Sequence, residues 1–270
     1  MRLTALLPTS VALASAAPIP AAFAKAALAR AATVLAALAF ALPHPARGAE
    51  PVDIALVLVS DVSRSIDDSE FLLEKNGYAS AFTNPKVMAA IRSGPAGGIA
   101  VAYVEFAGEE EVSTVLDWTV LRDDASIHRF VERLEATPRS ARGRTAISAG
   151  IDAAVALLAH GAPESGRQVI DVAGDGTNNA GRPAATARAA ALAAGITVNG
   201  LAIINDHPAS YTYAHTQPPG GLDAYYRENV AGGPASFVLT VHDLNAFGDA
   251  MTRKLISEIA VLPTPGPTRG

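Results

Sequence analysis

Val52-Asp53-Ile54-Ala55-Leu56-Val57-Leu58-Val59-Ser60, followed at once by Asp61-Val62-Ser63-Arg64-Ser65, is the stretch on which the reading of this chain turns. A strand with one wet face alternates apolar and polar residues. A nearly unbroken β-branched and aliphatic run instead fits a strand covered on both faces, as in a parallel sheet. The five residues after it are polar at every second position. In an extended turn leaving a strand, residues two apart point the same way, so Asp61, Ser63 and Ser65 can bring three oxygens to one point. Hard divalent cations such as Mg²⁺ or Mn²⁺ take oxygen ligands of this kind. The same residues would also suit an ordinary helix start capped by Ser65 or Asp67, so the stretch alone leaves both readings open.

Outward from this stretch the pattern alternates. Asp67–Phe82 has helical spacing, and Ile99–Ala107 and Glu111–Trp118 read as strands joined through Gly108-Glu109-Glu110 in a hairpin. Helical patterns follow at Asp124–Glu135 and Thr145–His160, then a strand at Gln168–Ala173, a helix at Pro183–Ala194 stopped by Gly195, and a strand at Thr197–Ile204. The long connection Asn205–Pro234 holds a short helix near Leu222–Val230. A strand at Ser236–Val241 and an amphipathic helix at Leu244–Val261 complete the series. This is an α/β domain: a doubly wound, mostly parallel sheet flanked by helices, with one antiparallel edge strand. Such sheets bind ligands at the carboxyl ends of their strands.

Two further loops fall at that edge. Gly143-Arg144-Thr145 opens a helix and places a hydroxyl there, and Gly174-Asp175-Gly176 ends a strand with a carboxylate between glycines that permit close approach. Three loops thus offer two carboxylates and three hydroxyls.

In this combination the chain resembles the von Willebrand factor A-type domain with its metal-ion-dependent adhesion site, over Val52 to about Val261. Asp61, Ser63 and Ser65 match the D-x-S-x-S element, Thr145 the separate threonine, and Asp175 the aspartate of the D-G element. More narrowly, Gln168–Asn179 (QVIDVAGDGTNN) and Leu222–Phe237 (LDAYYRENVAGGPASF) resemble the bacterial domain-of-unknown-function 1194 group. The resemblance implies a divalent cation, Mg²⁺ first with Mn²⁺ or Ca²⁺ as alternatives, held by Asp61, Ser63, Ser65, Thr145 and Asp175. It also implies an open coordination position for a carboxylate of a protein partner, with Asn178 and Asn179 orienting waters around the ligands.

Composition narrows the setting. Residues 1–48 hold four basic side chains and no acidic one, so the remainder carries 17 basic and 26 acidic residues, a formal charge of −9 instead of the −5 of the whole. An acidic body without Lys/Arg clusters lacks the footprint of a nucleic-acid binder. With no cysteine there is neither a disulfide framework nor a thiolate site. Lys25–Arg30 and the apolar run Ala31–Leu42 read as a secretory leader, with Ala46-Arg47-Gly48 as a cleavage site before Ala49. Leu3–Ala24 is a second, earlier candidate, explained by a true start downstream of Met1; the competing reading is an uncleaved membrane anchor. The expected organisation is a leader at 1–48, a domain at 49–262 and a solvated tail at 263–270, the mature protein being periplasmic or secreted and meeting a membrane only if the leader is uncleaved.

Other features have blander readings. Asp171 interrupts an apolar strand and is expected to be hydrogen-bonded beneath the site loops. Glu109-Glu110-Glu111 fits a solvated hairpin turn. Ser148, in a near match to a nucleophile elbow, sits inside a helical pattern and reads as an ordinary helical serine. Tyr211, Tyr213, Tyr225 and Tyr226 suit packing over the sheet edge, with a partner surface as the alternative. The functional expectation is a non-enzymatic, cation-dependent binding module. The alternatives are a metal-dependent hydrolase, which would need a general base that the three loops do not supply, and a structural envelope protein with a vestigial metal site.

Overall fold

The computed structural model describes residues 51–204 and 218–260; the leader, the tail, Tyr211 and Tyr213 lie outside the described residues. Six strands form one sheet in the order β3-β2-β1-β4-β5-β6. They are β1 (Val52–Asp61), β2 (Ile99–Phe106), β3 (Val112–Leu121), β4 (Ser165–Gly174), β5 (Thr197–Ile203) and β6 (Val238–Val241). All neighbours are parallel except β2 and β3, the expected hairpin, whose register shifts around Tyr103.

β1 is central, and its alternation explains the unbroken apolar run. Ile54, Leu56 and Leu58 join one core cluster, while Ala55, Val57 and Val59 join the other, on the opposite face. The first face is covered by α1 (Asp68–Phe82), α2 (Pro85–Ser93), α3 (Asp124–Ala136) and α7 (Phe247–Ala260). The second is covered by α4 (Ile147–His160), α5 (Ala184–Ala193) and α6 (Leu222–Asn229). Burying each aliphatic side chain of β1 contributes about 1.5–3 kcal/mol, so both layers hold the strand from which the polar loop departs.

The structure changes several expected boundaries. α2 occupies a segment to which the periodicity assigned nothing; Asn84 caps it by accepting from Lys86 N, and Pro85 stands at its first turn. α4 starts at Ile147, leaving Thr145 before the helix with its hydroxyl turned inward. The final helix begins at Phe247, behind a single 3₁₀ turn at Leu244–Ala246. Helices approach closely where side chains are missing. A Cβ on Gly77 of α1 would lie 2.4 Å from a ring carbon of Phe247, and one on Gly150 of α4 would lie 2.8 Å from Val59.

Candidate metal centre

β1 ends at Asp61, and the chain turns because Ser63 N donates to Asp61 Oδ1 at 2.8 Å. This local bond is the aspartate's usual way of closing a turn. α1 then starts at once through a capping box. Asp67 Oδ1 accepts from Ser69 N and Glu70 N at 2.8 and 2.9 Å, and Glu70 Oε2 accepts from Asp67 N at 2.8 Å. The helix-cap reading of the loop therefore holds for Asp67, while Ser65 is left for another purpose. Ser63 Oγ and Ser65 Oγ stand 3.1 Å apart, Thr145 Oγ1 donates to Ser63 Oγ at 3.1 Å, and Ser65 Oγ donates to Asp175 Oδ1 at 2.8 Å.

The five oxygen-bearing residues anticipated from three separate loops are thus brought together. Asp61, Ser63, Thr145 and Asp175 are all buried, with Asp61 at 0% exposure. Burial, and after it the Asp175 carboxylate, push the Asp61 carboxyl up to about 8. Among the described residues no hydrogen bond reaches Asp61 Oδ2. The glycines keep the space around it clear: a Cβ on Gly174 would sit 2.9 Å from Asp61 Cβ, 3.1 Å from its Oδ2 and 2.7 Å from the Tyr226 hydroxyl.

This donor set fits a hard divalent cation. Among the described residues no three His, Asp or Glu side chains gather into a cage, so a cation here would rely on the mixed set of two carboxylates and three hydroxyls. A buried carboxylate oxygen lacking a donor is the atom such a cation would satisfy.

The surroundings contain residues that composition and spacing did not mark. Arg139, from the α3–α4 connection, has a side chain only 5% exposed. Its guanidinium donates to the carbonyls of Val62 and Ser63, each at 2.6 Å, and to Ala141 O at 3.0 Å. It also stacks over the Phe71 ring at 5.8 Å. Beside it, Ser140 N donates to the buried Glu105 Oε2 at 2.8 Å, and Arg64 N donates to Gly143 O at 3.1 Å. The threonine loop and the serine loop are thereby tied to each other. No signal in the sequence singled out Arg139, whose role depends on backbone carbonyls that no side-chain pattern reveals.

Asn178 and Asn179, expected to orient waters around the ligands, bond to backbone of the neighbouring loop. Asn179 Oδ1 accepts from Thr145 N and Asn178 Oδ1 from Ser148 N, both at 3.0 Å, so they pin the aspartate loop to the threonine loop. Ser148 is a buried residue of α4. Tyr225 accepts a bond from Asn178 N and Tyr226 is fully buried, so this pair packs over the site's flank. Asp171, for which the sequence named no partner, forms an ion pair with Lys254 of α7.

Residues 51–263 match the model of the family described as "Protein of unknown function (DUF1194)". The chain belongs to this family. A comparison with curated proteins found no match. Solved structures place this DUF1194 member in the von Willebrand factor A fold. Proximal thread matrix protein 1 from the mussel byssus, solved with a zinc-occupied MIDAS motif, is 18% identical with a TM-score of 0.54, over 77% of this chain and 46% of that one. The chain therefore spans about half the length of that relative. BatB of Bacteroides thetaiotaomicron is 22% identical with a TM-score of 0.51, over 77% and 98% of the two chains. A von Willebrand factor type A protein of Catenulispora acidiphila is 16% identical with a TM-score of 0.52, over 76% and 42%. At these identities the likeness is one of fold.

Proposed function

We propose that this DUF1194 domain is an exported, divalent-cation-dependent binding module that engages a protein partner through an acidic residue, with Mg²⁺ as the working cation. The observation that carries the reading is Asp61 Oδ2, wholly buried and, among the described residues, without a hydrogen bond, beside a chain of oxygens running through Thr145, Ser63, Ser65 and Asp175. Asp61 would anchor the cation. Ser63 and Ser65 would bind it directly, Asp175 directly or through water, and Thr145 from the adjoining loop. Once bound, the cation supplies a positive, electrophilic point that a carboxylate from outside can complete.

The residues do the remaining work. Two carboxylates leave room for one further anionic oxygen, while neutral hydroxyls avoid quenching the charge. Arg139 and the two asparagines hold the three loops in register, so little order is lost when a partner arrives. A zinc-occupied MIDAS in the mussel protein of the same fold supports the cation assignment. Export rests on the leader-like composition of residues 1–48. Among the described residues no helix is long and apolar enough to cross a membrane.

The test is a thermal melt of the full chain in chelator and then in Mg²⁺, Mn²⁺ or Ca²⁺. The wild type should rise in melting temperature with cation and Asp61→Ala should not, and an unmoved wild type would sink the assignment. An immobilised peptide library should then retain the protein through Asp- or Glu-bearing members in Mg²⁺ and release it in chelator.

A further inference from the structure

The rim of the metal centre carries positive charge that a single partner carboxylate would leave unmatched. Arg64 stands between Ser63 and Ser65 in the serine loop, and Arg144 directly precedes Thr145 in the threonine loop; both are exposed. The loops meet at these residues. Arg64 N donates to Gly143 O at 3.1 Å, and that carbonyl belongs to the peptide unit joining Gly143 to Arg144. The two side chains therefore leave neighbouring points of the backbone. Arg144 is also placed by its Nε, which donates at 3.4 Å to Asn179 Oδ1, the oxygen that accepts from Thr145 N at 3.0 Å. Its guanidinium thus lies at the junction of the threonine and aspartate loops.

Elsewhere surface arginines are met by carboxylates: Arg92 by Asp124, Arg182 by Asp152 and Arg227 by Asp223. Here the carboxylates of the adjoining segments are committed. Asp68 serves both Arg142 and Arg139, and Asp67 caps α1. In the hairpin turn, Glu111 Oε2 lies against Gly143 but accepts from Gly108 N, and Glu109 packs by Gly181. Among the described residues neither Arg64 nor Arg144 forms an ion pair with a carboxylate. Two like charges side by side, in a domain that is acidic as a whole, favour an anion from outside. Asp61 and Asp175 together would balance a divalent cation. A partner that brings one carboxylate to the metal then leaves both arginines unneutralised. Guanidinium forks take carboxylates through paired hydrogen bonds, which sets the chemistry of the second group.

We propose that the partner segment presents two acidic residues close together, one completing the coordination of the cation and the other held by Arg64 and Arg144. The inference rests on the cation-dependent reading above and narrows its partner to a polypeptide stretch with paired Asp or Glu side chains. Fluorescence anisotropy of the full chain in Mg²⁺ tests it with two peptides, identical except that one carries Asp-Gly-Glu and the other Asp-Gly-Gln. The two-acid peptide should bind about five- to tenfold more tightly, the combined worth of two exposed charge pairs. Raising the salt from about 0.05 to 0.5 M should shrink that preference. Arg64→Gln combined with Arg144→Gln should erase it. Arg129→Gln combined with Arg253→Gln removes the same charge from exposed positions on α3 and α7 and should keep it. Equal binding of the two peptides overturns the inference and leaves the cation-dependent reading standing. So does a preference that survives in the Arg64 and Arg144 variant, or one lost equally in the Arg129 and Arg253 control. If neither peptide binds in Mg²⁺, the acidic-partner reading falls with it.

Discussion

Two places in this domain bury a pair of carboxylates, and they solve the resulting electrostatic problem differently. Between the sheet and α7, Asp171 and Glu258 share Lys254, a cation that is part of the chain. At the carboxyl edge, Asp61 and Asp175 lie next to each other with hydroxyls around them, and Arg139 is only the weakest of the influences on Asp61 while its guanidinium is committed to carbonyls. Burial raises Asp171 to about 7 and Asp61 to about 8, so neither carboxylate is comfortable in its pocket. The difference teaches where a cation is structural and where it is left to be supplied from outside.

The largest effect should come from removing the built-in cation. Lys254→Met leaves two buried carboxylates facing each other, and urea unfolding should show a loss of about 3–5 kcal/mol. If stability hardly changes, the contrast between the two regions collapses. Next, a cation at a hundredfold excess over its dissociation constant should stabilise the wild type by about 2.7 kcal/mol, and Asp61→Ala should remove that gain. In chelator the same variant should lose only about 1 kcal/mol, the worth of the turn-closing bond from Ser63 N. The two regions share no side chain, so the Asp61 and Lys254 effects should add in the double variant.

A smaller effect concerns Glu74 of α1, whose buried carboxyl is pushed up to about 8 by desolvation, with Asp61, Glu105 and Asp175 adding repulsion. A folded-state value above that of the unfolded chain stabilises at low pH. That stability is lost as pH rises from the ordinary Glu range through about 8, at no more than about 1.4 kcal/mol per pH unit. Glu74→Gln should flatten this slope in chelator across pH 5 to 9 (roughly the span of the shift) when unfolding is followed by denaturant. The smallest expected change is at the helix that follows the metal loop. Asp67→Ala removes the cap of α1 and should cost about 1 kcal/mol of stability, read from the urea midpoint, while the cation response persists.

What could be read from residues alone follows the same division. β1 was legible because a strand covered on both faces is apolar along its middle, from Ile54 to Val59. The site loops were legible because three of them carry carboxylate or hydroxyl oxygens to one edge of one sheet, where strand ends hold them within reach of a single ion. α2 was missed although Asn84-Pro85 is a helix start in miniature and Val87, Met88 and Ile91 fall at helical spacing. Lys254 and Glu258 lie one turn apart on an amphipathic helix and look like a surface pair, yet both are buried. Only the tertiary placement of Asp171, over eighty positions earlier, reveals what they compensate. Arg139 was hidden for a related reason: it recognises backbone, which every residue has. Asn178 and Asn179 were noticed, but their bonds from Thr145 N and Ser148 N depend on the fold bringing two loops together.

The central position of β1 has a practical consequence. β1 enters the sheet at Val52, whose N–H bonds to Glu164 O just before β4 begins, and α7 ends beside Arg167, near the start of the same strand. The points where the described chain begins and ends are thus both at the edge opposite Asp61 and Asp175. A sensor surface or fluorophore coupled next to Pro51 or Ala260 would stand off from the metal loops by the length of a ten-residue strand, roughly 33 Å, leaving them facing the solution.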